Sequence, residues 1–112
     1  MKTISVKQPW AYLICSGIKD IENRKWKTNY RGKVLIHSPI DVDKYGLELV
    51  SNNVKLYKSA IIGSVEIIDC VKEHKSLWAE KDSWNWVLSN PILFKEPILN
   101  VKGKLSFWDY EI

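Results

Sequence analysis

Residues 17–24 place a lysine, a glutamate and an arginine next to a glycine that can end a helix. Glu22 and Arg24 share one face of an extended segment, because side chains alternate along a strand. Lys19 joins them only if the chain turns after Gly17. Lysine and arginine can then bind a phosphate or a carbonyl, while Glu22 holds Arg24 through a charge-assisted hydrogen bond. The alternative is a solvated surface loop, whose ion pairs contribute little to stability.

Catalytic chemistry has few other candidates in this sequence. Lys19 can act as a base or a nucleophile if burial lowers its pKa. His37 and His74 lack the partners of a usual metal site, and phosphate-loop, dinucleotide and G-x-S-x-G motifs are absent, so no metal and no cofactor are expected. Cys15 lies in an apolar segment, which favours a core cysteine over a nucleophilic pair with His37.

The composition favours a single small domain with a nucleic-acid partner. The chain has 112 residues, a formal net charge of +4, six tryptophans and five tyrosines. Residues 24–33 contain five basic residues and no acidic one, a composition that favours binding of a polyanion. Trp26 lies in this basic stretch and is a candidate for stacking on a base, because bases stack on exposed aromatic rings.

Two further polar residues are candidates for the same site. His37 ends an apolar strand, so it is either a hydrogen-bonded core histidine or a donor in a cleft. Glu66 lies on a long apolar strand and points either inward or across a cleft.

The cysteine count and hydropathy predict a cytoplasmic protein. Cys15 and Cys70 are the only cysteines and form no C-x-x-C motif, which is typical of free thiols in a reducing compartment. No signal peptide is expected, because the chain starts with an alternating strand-like segment, and no apolar run is long enough to span a membrane. No membrane partner is therefore expected.

The hydrophobic pattern predicts an order of strand, helix, strand, helix and then mostly strands. Alternation predicts a strand over residues 3–6, and a short helix begins at Pro9 and ends at Gly17. Further strands are predicted over residues 33–37, 61–68, 84–88, 98–101 and 105–110, with a break at Asn90 and Pro91. A helix is predicted over residues 41–56, capped by Asp41 or Asp43, and a helical turn over residues 76–81. We therefore predict an α+β fold: a small β-barrel of five to six strands with two or three flanking helices.

The motif Gly17-x-Lys19-x-x-Glu22-x-Arg24 resembles the G-x-K-x-x-E-x-R signature of the ASCH domain family, which belongs to the PUA-like superfamily. Flanking blocks in the same order are also similar to this family, and together they cover essentially the whole chain: residues 5–11, 30–37, 63–66 and 101–105.

This resemblance implies one ASCH domain over residues 1–112, with a PUA-like barrel and a cleft beside the signature loop. Family members are thought to bind RNA or modified nucleosides there. Lys19, Glu22 and Arg24 are the matching positions in this chain. The expected partner is therefore RNA or a modified nucleoside, or single-stranded nucleic acid more generally.

Some relatives in this family are enzymes. Certain small members remove the acetyl group from acetylated cytidine with a lysine, a threonine three residues later and a distant glutamate, and some are reported to cleave RNA. Lys19 matches the lysine, but Glu22 stands where the threonine would be; Glu66 and Glu80 are both candidates for the distant glutamate. We therefore predict a binding domain. A metal-independent amidohydrolase or ribonuclease, with Lys19 and Glu22 as catalytic residues, is the first alternative, and a protein-interaction module is the second.

Overall fold

The computed structural model describes residues 1–111, which form six β-strands and two short helical segments. The α-helix α1 spans Trp10–Cys15, and a 3-10 helix spans Lys44–Leu49. The strands are β1 (Lys2–Ser5), β2 (Ile21–Arg24), β3 (Gly32–Ser38), β4 (Ala60–Val71), β5 (Trp84–Ile98) and β6 (Trp108–Asp109). Within these residues, no helix is both long enough and apolar enough to cross a membrane.

All six strands belong to one mixed sheet, in the order β2-β5-β4-β3-β1-β6. β1 and β3 run parallel, while the other neighbouring pairs run antiparallel. The predicted α+β class is confirmed. Because β2 and β6 are edge strands that do not pair with each other within residues 1–111, the predicted barrel is not confirmed.

Side chains nevertheless bring the two ends of the sheet together. The guanidinium of Arg24 on β2 donates to the carbonyl oxygen of Ser5 on β1 at 2.8 Å. Phe107, just before β6, stacks on Trp86 of β5 with ring centroids 5.4 Å apart. The sheet therefore curls around a core without a continuous ladder of backbone hydrogen bonds.

The core lies between α1 and the central strands. Ala11, Leu13, Ile14 and Cys15 of α1 are buried, as are most residues of the first half of β4. Gly63 of β4 allows the close approach of the helix, because a Cβ atom there would lie 2.8 Å from the Cys15 sulfur. Cys15 is thus a core thiol, as predicted, and burial raises its pKa to about 12.

The predicted helix over residues 41–56 is wrong in its length. Only Lys44–Leu49 is helical, as a 3-10 helix, and Asp43 caps it by accepting a hydrogen bond from the Tyr45 amide at 3.1 Å. Leu47 and Leu49 are exposed, so this segment has no buried apolar face to stabilise a longer helix.

The predicted end of a strand at Asn90 and Pro91 is also wrong. β5 continues to Ile98, because a bulge between the pairs Glu66–Ser89 and Ser64–Ile92 accommodates the extra residue. Asn90 adopts a positive φ of 49° there. The strand predicted over residues 98–101 is absent, and only Trp108–Asp109 of residues 105–110 is extended into the sheet.

Candidate functional site

A cleft of about 630 Å³ opens beside the end of β1, the edge strand β2 and the loop that precedes β5. This volume lies in the range of small-ligand sites, which is about 300–1,000 Å³. The lining residues come from four separate parts of the chain: Ser5, Val6, Lys7, Trp10; Lys19, Glu22, Asn23, Arg24; Pro39, Asp43; and Leu77, Trp78, Ala79, Glu80.

The turn after α1 directs Lys19 into this cleft. Gly17 adopts a φ of +85°, a conformation that favours glycine, and the amides of Ile18 and Lys19 both donate to the Leu13 carbonyl oxygen. The Lys19 ammonium donates to the carbonyl oxygen of Ile21. The side chain is 7% exposed, and burial lowers the pKa of Lys19, an effect that the nearby Glu22 carboxylate partly offsets.

Glu22 connects the two cationic residues of the signature. One of its carboxylate oxygens lies 3.6 Å from the Lys19 ammonium nitrogen. The other accepts a hydrogen bond from Nε of Arg24 at 2.8 Å and forms an ion pair with Nη2 of the same guanidinium, also at 2.8 Å. The structure therefore brings Lys19, Glu22 and Arg24 together at the cleft.

Two tryptophans form an aromatic wall in the same cleft. The rings of Trp10 and Trp78 meet edge to face with centroids 6.4 Å apart, and both side chains are partly buried. The Trp10 indole donates to Asp43 at 2.9 Å, and this hydrogen bond is the main cause of a lowered pKa for Asp43. The Lys19 ammonium lies 5.8 Å from the centroid of the Trp10 ring. Trp10 thus both packs against the core and lines the cleft.

A pair of asparagines fixes the loop that carries Trp78. Asn23 on β2 donates to the Trp78 carbonyl oxygen at 2.9 Å and accepts from the Glu80 amide at 3.0 Å. Asn85 on β5 is fully buried; it donates to Asn23 at 2.9 Å and accepts from the His74 amide at 3.0 Å. Sequence reasoning missed Asn23, Asn85 and Trp78. The sequence offered a signal for one of them, because Asn85 is a polar residue between Trp84 and Trp86 of a predicted strand.

Three residues predicted from the sequence lie outside the cleft. His37 is buried in the core, with its ring nitrogens 2.8 Å from the Ser5 hydroxyl and 2.7 Å from the Val101 carbonyl oxygen, and burial lowers its pKa. Glu66 accepts a hydrogen bond from Asn90 at the β4–β5 bulge.

Trp26, the third of these residues, is 44% exposed and packs edge-on against Trp86. Its ring also lies 5.4 Å from the guanidinium carbon of Arg24, so it borders the signature without lining the cleft. Glu80, the other candidate for a distant glutamate, does line the cleft.

The charges of the cleft are balanced. Three cationic residues (Lys7, Lys19 and Arg24) face three anionic ones (Glu22, Asp43 and Glu80). The part of the chain that the structure describes contains no group of three or more His, Cys, Asp or Glu residues suited to a metal ion. The arrangement offers hydrogen-bond donors, acceptors and aromatic surface, with no excess of positive charge.

The fold and this signature define the class of protein. The sequence pattern of the ASCH domain matches residues 4–98, so the chain belongs to the ASCH domain family. Activating signal cointegrator 1 of Homo sapiens is similar, with 33% identity over 94% of this chain and 21% of that protein. Activating signal cointegrator 1 of Mus musculus shows 32% identity over the same shares. The chain thus spans about a fifth of the length of these relatives. The family supports a general role of the RNA-binding type.

Proposed function

We propose that this protein binds RNA or a modified nucleoside, with a base held in the cleft beside the signature loop. The observation that carries the proposal is the convergence of Lys19, Glu22 and Arg24 on a cleft walled by Trp10 and Trp78. Aromatic rings offer stacking to any base, and a few polar groups placed by hydrogen bonds orient the ligand.

The balance of charge favours a base or nucleoside over a phosphate as the group inside the cleft. The Glu22 carboxylate already pairs with Lys19 and Arg24, so a phosphate would have to compete with it for both cations. A neutral heterocycle needs no such exchange, because it can accept and donate hydrogen bonds beside intact ion pairs. A small modification on the base adds contacts without adding charge.

Equilibrium binding tests this proposal with free nucleosides, including acetylated cytidine, and with a single-stranded RNA of about ten nucleotides. Trp78→Ala should weaken binding by about 1–3 kcal/mol, the usual contribution of stacking on one base. Lys19→Ala and Arg24→Ala should weaken it as well, whereas Lys55→Ala, which changes an exposed lysine beside Tyr57, should not. Circular dichroism verifies that each variant is folded. Absence of binding to RNA and nucleosides at low salt would sink the proposal.

A second candidate function is hydrolysis of an acylated cytidine nucleoside or of RNA. The observation that favours it is a lysine with a lowered pKa, buried next to a carboxylate in the cleft. Such a lysine can act as a general base. Incubation with acetylated cytidine, followed by chromatography, tests for the deacetylated product. If Lys19→Ala leaves turnover unchanged, Lys19 is not the catalytic group.

We also propose that residues 1–112 form one domain of the PUA-like type and act in the cytoplasm. The curled six-stranded sheet with α1 on one side is consistent with the first statement. The relatives are named as activating signal cointegrators, and this chain matches about a fifth of their length.

A further inference from the structure

Two lysines outside the cleft converge on one tryptophan, Trp84. The ammonium nitrogen of Lys27 lies 5.5 Å from the centroid of the Trp84 ring, and that of Lys72 lies 4.9 Å from it. Lys27 follows β2 and Lys72 follows β4, and these are the two strands that flank β5. The lysines therefore reach the first residue of β5 from both neighbouring strands.

The segment that carries Lys27 is fixed by the core. The Trp86 indole donates to the Trp26 carbonyl oxygen at 3.2 Å, and the Thr28 amide donates to the Cys70 sulfur at 3.5 Å. Thr28 is itself buried. The backbone on both sides of Lys27 is therefore tied to β5 and β4, which gives this lysine a defined position above Trp84.

The Trp84 ring with Lys27 and Lys72 forms a small basic surface, here called the Trp84 surface, whose two lysines lie outside the ion pairs found among residues 1–111. The ion pairs found among residues 1–111 join Lys19 to Glu22, Arg24 to Glu22 and Arg31 to Asp69, and neither Lys27 nor Lys72 takes part in them. Both ammonium groups lie within 5.5 Å of one ring centroid, so two cationic groups are held close to one aromatic side chain. A polyanion can pair with both ammonium groups without displacing a protein carboxylate, whereas in the cleft it would compete with Glu22 for Lys19 and Arg24.

The Trp84 surface begins directly beside the cleft. Arg24 and Trp84 are paired across β2 and β5, so they project from the same face of the sheet. Arg24, which lines the cleft, is therefore next to the residue on which Lys27 and Lys72 converge.

We propose that the ligand is a single-stranded nucleic acid whose backbone phosphates cross Lys27 and Lys72 while one of its bases occupies the cleft. This inference rests on the proposed function and narrows it, because a free nucleoside does not reach the two lysines. The cleft selects the base, and the Trp84 surface supplies contacts to phosphate that do not depend on sequence.

The test compares wild-type protein with the double variant Lys27→Ala/Lys72→Ala. Binding of a labelled single-stranded RNA of about ten nucleotides, of the same sequence as DNA, and of free nucleosides is measured from about 50 to about 200 mM salt. Loss of two phosphate contacts should reduce the slope of log K against log salt by about 1.4 for a single strand. The matched control is Lys55→Ala/Lys58→Ala, in which Lys55 lies over the Tyr57 ring at 4.9 Å, as Lys72 lies over Trp84.

The expected result is weaker oligonucleotide binding and a smaller salt slope in the Lys27→Ala/Lys72→Ala variant, with nucleoside binding unchanged. An unchanged slope, or a loss equal to that of the control, overturns the phosphate surface while leaving nucleoside binding in the cleft intact. Wild-type protein that binds neither oligonucleotides nor nucleosides overturns both proposals. Equal binding of polyglutamate to the same two lysines also overturns the inference, because the surface would then take an acidic polypeptide.

Discussion

Glu22→Gln tests whether the signature is an organised site, because this carboxylate contacts both of its cations. The substitution keeps the shape of the side chain and removes its charge. Three close contacts change: Nε and Nη2 of Arg24 at 2.8 Å, and the Lys19 ammonium at 3.6 Å. The Glu22 side chain is only 13% exposed, so water cannot fully solvate the two cations that lose their carboxylate partner.

The expected loss of stability follows from these contacts. A hydrogen bond to a charged group contributes about 1.5–3 kcal/mol, and removing one partner of a buried ion pair costs about 3–5 kcal/mol. Glutamine still accepts one hydrogen bond from Arg24, and the pair is not fully buried. We therefore expect Glu22→Gln to reduce the free energy of unfolding by about 2–3 kcal/mol, which corresponds to a decrease in Tm of about 10 °C for a domain of this size.

A second substitution separates this explanation from a simple packing defect. Without Glu22, the buried Lys19 ammonium loses its nearest anion, so adding Lys19→Met to the Glu22→Gln variant should restore about 1 kcal/mol or more. A packing defect would not be relieved by this change. Urea unfolding, followed by tryptophan fluorescence, measures all variants, and Glu48→Gln on the exposed 3-10 helix is the control, expected within about 0.5 kcal/mol of wild type. Wild-type stability of Glu22→Gln would refute the reasoning.

Cys15→Ala tests the core, and Asn85→Ala tests the loop of residues 74–80. Between pH 9 and pH 12 the unfolded chain loses the Cys15 proton while the folded chain keeps it, since burial raises the pKa from 9.0 to about 12. The folded state then binds more protons, so the free energy of unfolding should fall by up to about 1.4 kcal/mol per pH unit in wild type relative to Cys15→Ala; parallel pH profiles would contradict this. Asn85→Ala should cost about 3 kcal/mol, because it removes hydrogen bonds to Asn23, His74 and Glu80, and should speed amide exchange at residues 74–80. Exchange at the wild-type rate would show that Asn85 does not hold this loop.

Local patterns predicted the parts of the fold that local chemistry decides. The helix begun by Pro9 and ended by Gly17 is present as Trp10–Cys15, and the apolar run around Gly63 forms the central strand β4. The failures lie where tertiary contacts overrule the local signal. Asn90 and Pro91 look like the end of a strand, but β5 continues through them because they form a bulge in its pairing with β4.

The candidate site was predictable to the extent that it lies in one segment. Lys19, Glu22 and Arg24 are close in sequence, and only the direction of the turn after Gly17 decides whether they meet. The opposite wall could not be deduced in this way, because Trp78 enters the cleft through a loop that Asn23 and Asn85 hold from two other strands. Contacts between residues more than 50 positions apart leave no periodic signal in the sequence.

The structure also changes the interpretation of residues 17–24, for which the sequence left a binding site and a solvated loop as alternatives. Arg24 is neither solvated in a loop nor free to bind a ligand. Its guanidinium pairs with Glu22 and also donates to the Ser5 carbonyl oxygen across the gap between β2 and β1. The arginine therefore bridges an edge of the sheet where backbone pairing is missing, and it shapes the cleft by doing so. An Arg24 variant can therefore lose ligand binding because the cleft changes shape. Its binding data show a direct contact with the ligand only if the distance between β2 and β1 is retained. Lys27 and Lys72 form no ion pair within residues 1–111, so substituting them leaves the contact between β2 and β1 in place.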